Sequence, residues 1–225
     1  MTWVKICGIS DIASAIAASQ AGTNYLGMVF APSRRQISPE NALKIVEAIF
    51  QLNSRPQIVG VFVNQPADEV NQIVDYCRLD WVQLSGDENW DYCKKISTPI
   101  IKVFHISPNA SQTEISRAVY RGYTFVPPKQ LICLLDSTTA GTYGGTGTPF
   151  HGQVAKTVAS KLSVMIAGGL TPENVGELLQ LTQPWGVDVS SGVETNGKKD
   201  AIKIKAFIEM VRKFDLERVG GGQLG

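Results

Sequence analysis

Short apolar runs alternate with amphipathic stretches along the chain. Trp3–Cys7 is a first β run, and Asp11–Ala21 an alanine-rich helix closed by Gly22. Tyr25–Phe30 is a second strand. Ser38-Pro39-Glu40 then supplies an N-cap, a proline in the first helical position and an acid in the first turn. The helix continues over Asn41–Phe50, with Ala42, Ile45, Val46 and Ile49 at helical spacing. Ile58–Val63, Trp81–Leu84, Ile100–Phe104, Leu131–Leu135, Val164–Ala167 and Gly186–Val189 are six further strands. Between and after them the pattern predicts helices over Pro66–Tyr76, Glu88–Ile96, Ser111–Arg121, one opening at Thr171-Pro172-Glu173, and a last one over Asp200–Lys213.

Most of these strands are nearly continuous apolar runs, as parallel strands covered on both faces are. Eight of them with helical crossovers count out to a single α/β domain, a (β/α)8 TIM barrel with parallel strands and its active site on the C-terminal face. An open doubly wound sheet has fewer strands and carries G-x-G-x-x-G after the first. The turn here is Cys7-Gly8-Ile9-Ser10. No linker interrupts the pattern, so residues 1–215 are read as the barrel and 216–225 as a flexible Gly-rich tail.

The formal net charge of +1 excludes a basic surface suited to nucleic acid, and points to a small ligand. No apolar run approaches the ~20 residues of a membrane span. The four cysteines, Cys7, Cys77, Cys93 and Cys133, match no metal-ligand spacing. Without a secretory leader pattern, disulfides are not expected either. The expectation is a metal-free protein of a reducing compartment, most simply the cytoplasm, and a monomer, with a dimer as the alternative.

In a barrel, strand ends and the loops after them share one mouth. Lys5 and Cys7, Arg34 and Arg35, Asn64, Gln83, Ser85, His105, Asp136, Gly168 and Gly169, then Asp188, Ser190, Ser191 and Gly192 fall there. The glycine and serine turns after strands seven and eight suit a phosphate, because glycine lets backbone N–H groups approach an anion and hydroxyls add donors. Asp136 ends an apolar strand, where partial burial raises a carboxyl toward acid–base duty. A cysteine in the place of Cys7 is as a rule a small buried hydrophobe. What sets it apart is the acid and the phosphate turns downstream. Gly141–Gly147 lacks the lysine and hydroxyl ending of a nucleotide loop and reads as a lid, with Gly145 touching substrate. His105 and His151, without an acid or thiol nearby in sequence, read as structural or surface residues.

Several segments together resemble the phosphoribosylanthranilate isomerases of tryptophan biosynthesis. They are Val4–Ile9, Pro32–Pro39, Gly60–Asn64, Val82–Leu84, Leu134–Asp136, Tyr143–Gly147, Ala167–Val175 and Val187–Glu194, in order over nearly the whole chain. The pairing of KICGI with VDVSSGVE is the most specific. The resemblance implies a cofactor-free Amadori rearrangement of N-(5-phosphoribosyl)anthranilate to the deoxyribulose phosphate. It makes Cys7 the general base and Asp136 the general acid. It sets Arg35 on the anthranilate carboxylate and the phosphate on Gly168, Gly169, Ser190, Ser191 and Gly192. Lys5, Gln83 and Asp188 complete the expected substrate contacts. Many members read Gln-Leu-His-Gly after strand four, whereas this chain reads Gln83-Leu84-Ser85-Gly86. Ser85 is left at most a substrate contact.

The residue types suit that chemistry. Ring opening needs a protonated acid at the ring oxygen. The proton next to the resulting imine then needs a base, and a thiol lowered by positive neighbours such as Lys5 serves. Two other readings make different demands. A histidine-pathway isomerase is expected to offer an aspartate at the end of strand one, and a sugar-phosphate epimerase needs a metal-binding His/Asp set. A non-catalytic phosphate-binding barrel requires neither Cys7 nor Asp136.

Overall fold

The computed structural model describes residues 1–106, 111–137, 156, 158–160 and 162–221. Eight parallel strands close on themselves in chain order. They are β1 (Trp3–Cys7), β2 (Tyr25–Val29), β3 (Gln57–Phe62), β4 (Trp81–Leu84), β5 (Ile100–Ile106), β6 (Leu131–Ser137), β7 (Val164–Ala167) and β8 (Gly186–Val189). Helices α1 (Ile12–Gln20), α2 (Pro39–Phe50), α3 (Ala67–Cys77), α4 (Trp90–Cys93), α5 (Gln112–Phe125), α6 (Val175–Thr182) and α7 (Ala201–Gly221) lie outside it. A short antiparallel pair, β9 (Glu194–Thr195) with β10 (Lys198–Lys199), follows β8. Among the described residues no helix is long and apolar enough to cross a membrane.

Side chains alternate between two buried faces along each strand, which is why the strands are apolar throughout. One set, including Val4, Ile6, Leu26, Ile58, Leu84 and Ile100, packs outward under the helices. The other fills the barrel with Tyr25, Val59, Ile101, Val103, Ile132, Leu134, Met165 and Ala167. At the N-terminal end the interior is closed by aromatic rings. Trp3 stacks on Trp185 at 5.1 Å, and Tyr25 meets Trp81 edge-on at 6.0 Å. The same alternation that points Trp3 into this plug puts Lys5 and Cys7 further up on the same side of β1. The mouth is therefore at the C-terminal ends of the strands.

The helix starts follow the capping chemistry in the sequence. Ser38 accepts the Asn41 amide ahead of Pro39, and Ser111 and Glu114 form a reciprocal capping box on α5. Several boundaries differ from the pattern, α5 running to Phe125 and β5 and β6 to Ile106 and Ser137, and three of the differences have a specific contact behind them. Helix α4 is confined to Trp90–Cys93 because the buried Glu88 is engaged elsewhere, accepting the Asn64 and Gly86 amides and ion-pairing Lys102 at 2.8 Å. Thr171–Glu173 forms a turn ahead of α6, in which Asn174 accepts the Thr171 amide and donates to the Gly169 carbonyl. Helix α7 passes Lys213 because Asp215 accepts the Thr2 amide and hydroxyl, at 2.9 and 2.8 Å. Residues 216–221, assigned by the pattern to the tail, are thus helical.

Candidate active site

The centre of the mouth is an ion pair. Lys5, with no exposed surface, donates to Asp188 Oδ1 across the β1–β8 ladder at 2.9 Å, the two residues being register partners. Burial acts to discharge the ammonium, but Asp188 and Cys7 outweigh it and hold the lysine above its ordinary value. Cys7 lies one alternation higher. Its thiol is pushed up, first by burial and also by Asp188, against the lowering pull of Lys5 and Lys199. The expectation of a thiol lowered by positive neighbours is therefore corrected. Desolvation wins because the group is almost wholly enclosed, with 8% of Cys7 exposed.

Asp136, at the end of β6, is raised chiefly by burial and then by Asp188, while His105 and Lys5 oppose the shift. One ion pair thus acts electrostatically on both Cys7 and Asp136. Both groups are biased toward their protonated forms in the free protein.

Gly27 is the register partner of Cys7 on β2. A Cβ there would lie 3.0 Å from Cys7 Sγ and 3.1 Å from Lys5 Nζ. Only glycine leaves both side chains where they stand. A glycine inside an apolar strand is itself a sequence sign of close approach, and the run YLGMV carried it.

The two glycine-rich turns meet. A Cβ on Gly192 would overlap the Leu170 carbonyl oxygen, so the turn after β8 packs backbone to backbone on the turn after β7. Gly168 and Gly169 both have positive φ. Ser190 donates from its hydroxyl to the Cys7 carbonyl at 3.1 Å, tying this region to the end of β1. Ser191 opens a single 3-10 turn over Ser191–Val193.

Arg35 does not stand free. Glu194 accepts from Arg35 Nε at 2.6 Å and from its Nη2 at 3.1 Å, from Arg34 at 2.8 Å and from Lys199 at 2.8 Å. Lys199 also donates to the Ser190 carbonyl at 2.9 Å. Burial works against ionising Glu194, but the Arg35 and Lys199 hydrogen bonds more than reverse it and bring its carboxyl down to about 2. A cavity of about 500 Å³ opens beside the cluster, with Gly8, Ser10, Arg35 and Lys199 in its wall. Neither Glu194 nor Lys199 was singled out by sequence, although Glu194 closes the motif VDVSSGVE.

On the opposite wall, Gln83 donates to the Ser85 hydroxyl at 3.0 Å, and its buried Oε1 has no partner among the described residues. His105 is neither a structural core residue nor a remote surface one. It is the register partner of Asp136 at the rim, with Nδ1 3.8 Å from Asp136 Oδ2 and Nε2 2.9 Å from the Ser85 carbonyl. Strand pairing supplies the acid that is absent nearby in sequence. Gly145, the whole Gly141–Gly147 loop and His151 lie outside the described residues.

This mouth can hold a phosphate against the two joined turns, a second anion near Arg35, and an acid–thiol pair between them. Comparison with known proteins identifies the family. The sequence model described as N-(5'phosphoribosyl)anthranilate (PRA) isomerase matches residues 4–210. An N-(5'-phosphoribosyl)anthranilate isomerase of Dehalococcoides mccartyi is 45% identical over 219 residues, covering 97% of this chain and all of that one. The crystal structure of phosphoribosyl anthranilate isomerase from Thermotoga maritima superposes with a TM-score of 0.79 at 34% identity, over 95% of this chain and 100% of that one. A structure of such an isomerase in complex with reduced 1-(o-carboxyphenylamino)-1-deoxyribulose 5-phosphate gives 0.77 at 32%, with 95% and 100% covered. With the match running over residues 4–210, through all eight strands and both glycine-rich turns, the chain belongs to the N-(5'-phosphoribosyl)anthranilate isomerase family.

Proposed function

We propose that this isomerase carries N-(5'-phosphoribosyl)anthranilate through an Amadori rearrangement to 1-(2-carboxyphenylamino)-1-deoxyribulose 5-phosphate, with Asp136 as general acid and Cys7 as general base. The observation that carries the assignment is the Lys5–Asp188 pair, which bears on both groups at once. Burial shifts Asp136 upward, toward the protonated form that the step needs. Its proton goes to the ring oxygen as the bond from C1′ breaks, and the anthranilate nitrogen lone pair forms the C1′=N iminium. That positive charge acidifies the C2′ hydrogen and offsets the burial that disfavours a thiolate. Cys7, its thiol proton passed to solvent, takes the C2′ proton as the thiolate, giving the enolamine, and returns that proton to C1′, which regenerates the thiolate. The C2′ hydroxyl releases its proton to solvent as the ketone forms. Asp136 must then be reprotonated before the next turnover.

The phosphate is assigned to the turns of Gly168-Gly169 and Ser190-Ser191-Gly192, and the anthranilate carboxylate to Arg35, which Glu194 holds in a fixed orientation. Gln83, with its unpartnered Oε1, and Asp188 are assigned to the sugar hydroxyls. No cofactor enters this scheme. The four thiols are buried and form no disulfide, which suits a reducing cytoplasm. A monomer is the assembly this reading takes, because the eight strands close into a complete barrel within one chain. Sedimentation well above the chain mass of 24.4 kDa would replace it with a dimer.

The decisive experiment follows loss of the substrate's fluorescence when the protein is added. Wild type is expected to turn over. Cys7→Ala and Asp136→Asn are expected to keep the fold by circular dichroism and to lose about 10²-fold or more in kcat. No turnover by micromolar wild type, or turnover retained by either folded variant, would overturn the assignment.

A further inference from the structure

We propose that His105 is a positioning residue for the general acid, the group that returns a proton to Asp136 after each ring opening. This rests on the assignment of Asp136 made above and adds a residue to it. Strands β5 and β6 place His105 and Asp136 side by side, so their side chains leave the ladder in the same direction. The Ser85 carbonyl, 2.9 Å from Nε2, can only accept, so Nε2 carries a hydrogen whatever the state of the ring. The second nitrogen, Nδ1, is thereby the one free to gain or lose a proton. It faces Asp136 Oδ2 at 3.8 Å.

That separation is about 1 Å beyond a hydrogen bond, and both side chains are only partly covered, 44% of His105 and 35% of Asp136 being exposed. A small rotation closes the gap, as catalytic hydrogen bonds tighten when substrate arrives. The groups facing Asp136 are His105 from β5, Asp188 from β8 and Lys5 from β1. Lys5 is fully buried and committed to Asp188. Of these three, His105 is the one that reaches both solvent and the carboxyl.

The proton balance closes. Asp136 gives its proton to the ring oxygen and becomes a carboxylate. Protonated Nδ1 passes its proton to that carboxylate, leaving neutral imidazole still donating through Nε2 to Ser85. Water then reprotonates Nδ1, matching the proton that the C2′ hydroxyl released.

The test compares His105→Gln, whose amide can still donate to the Ser85 carbonyl but holds no transferable proton, with His105→Ala. Both are expected to melt close to wild type, to keep KM within about twofold and to lose about tenfold in kcat. Added imidazole should raise kcat of His105→Ala in a concentration-dependent way and leave His105→Gln slow. A purely structural role predicts instead that glutamine restores the rate. A His105→Gln kcat within twofold of wild type overturns the inference, as does a His105→Ala loss that imidazole leaves untouched. Asp136→Asn, assayed alongside, separates the two levels. If it keeps turnover, the acid assignment itself fails. If it is inactive while His105→Gln runs at the wild-type rate, the role of His105 alone fails.

Discussion

Replacing Glu194 by glutamine removes one negative charge from the centre of three cations while keeping the size of the side chain. The carboxyl titrates at about 2 rather than its ordinary 4.5, because hydrogen bonds from Arg35 and Lys199 override its burial. That gap corresponds to about 3 kcal/mol of preference for the charged form. Solvent reaches the cluster, since 58% of the Arg34 side chain and 22% of Arg35 are exposed, and screening reduces the usable part to about 2 kcal/mol. For a chain of this length that lowers Tm by roughly 4–8 °C at pH 7. The sign of the pH dependence follows from the lowered carboxyl. Glu194 stabilises the fold fully above about 4.5 and loses that contribution as the pH falls toward 2. At pH 3 about two-fifths of it remains. Glutamine has no such dependence, so the Tm gap between wild type and variant should shrink by more than half between pH 7 and pH 3. Scanning calorimetry at the two pH values measures it. An equal gap at both would show that the stabilisation is packing rather than charge.

Gly27→Ala forces a methyl against Cys7 Sγ and Lys5 Nζ, and should cost about 1–3 kcal/mol with a fall in kcat. A melt and a turnover assay at wild-type values would refute the contact. Asp188→Ala leaves the buried Lys5 ammonium without its partner and should cost about 3–5 kcal/mol, seen as a large drop in Tm. Because Lys5 is raised, its contribution is present below the ordinary lysine value of 10.5 and is lost only above it. The Tm deficit should therefore be constant from pH 6 to about pH 9, and a deficit that vanishes in that range would contradict the buried pair. The Cys7 thiol, pushed above its ordinary 9.0 by burial, should react slowly with iodoacetamide at pH 7 and faster with rising pH, followed by peptide mass spectrometry. Rapid labelling of Cys7 in the folded protein at pH 7 would mean the thiol is already ionised.

The barrel was legible because each strand carries two buried faces, and the apolar runs at Val164–Ala167 and Gly186–Val189 coincide with β7 and β8. Capping chemistry at Ser38 and Ser111 was equally visible, being local. What escaped depends on contacts between distant parts of the chain. Glu88 looks like the first turn of a helix until Lys102 and the Asn64 amide claim it. Glu194 is one acid in a loop until Arg35, far away in sequence, folds across to it. His105 gains its acid only through the β5–β6 register. The proton affinity of Cys7 was read in the wrong direction because a neighbouring lysine is visible in a sequence and enclosure is not.

The hydrogen bonds from Thr2 to Asp215 have a topological consequence. The first strand pairs with the eighth, and α7 brings Asp215 to the Thr2 amide and Arg212 to the Thr2 carbonyl at 2.6 Å. The first strand and the last helix are thus fastened together at the closed, aromatic end of the barrel, away from the mouth. Joining the two ends and cutting an exposed connection elsewhere would preserve the strand order and every pair in the barrel.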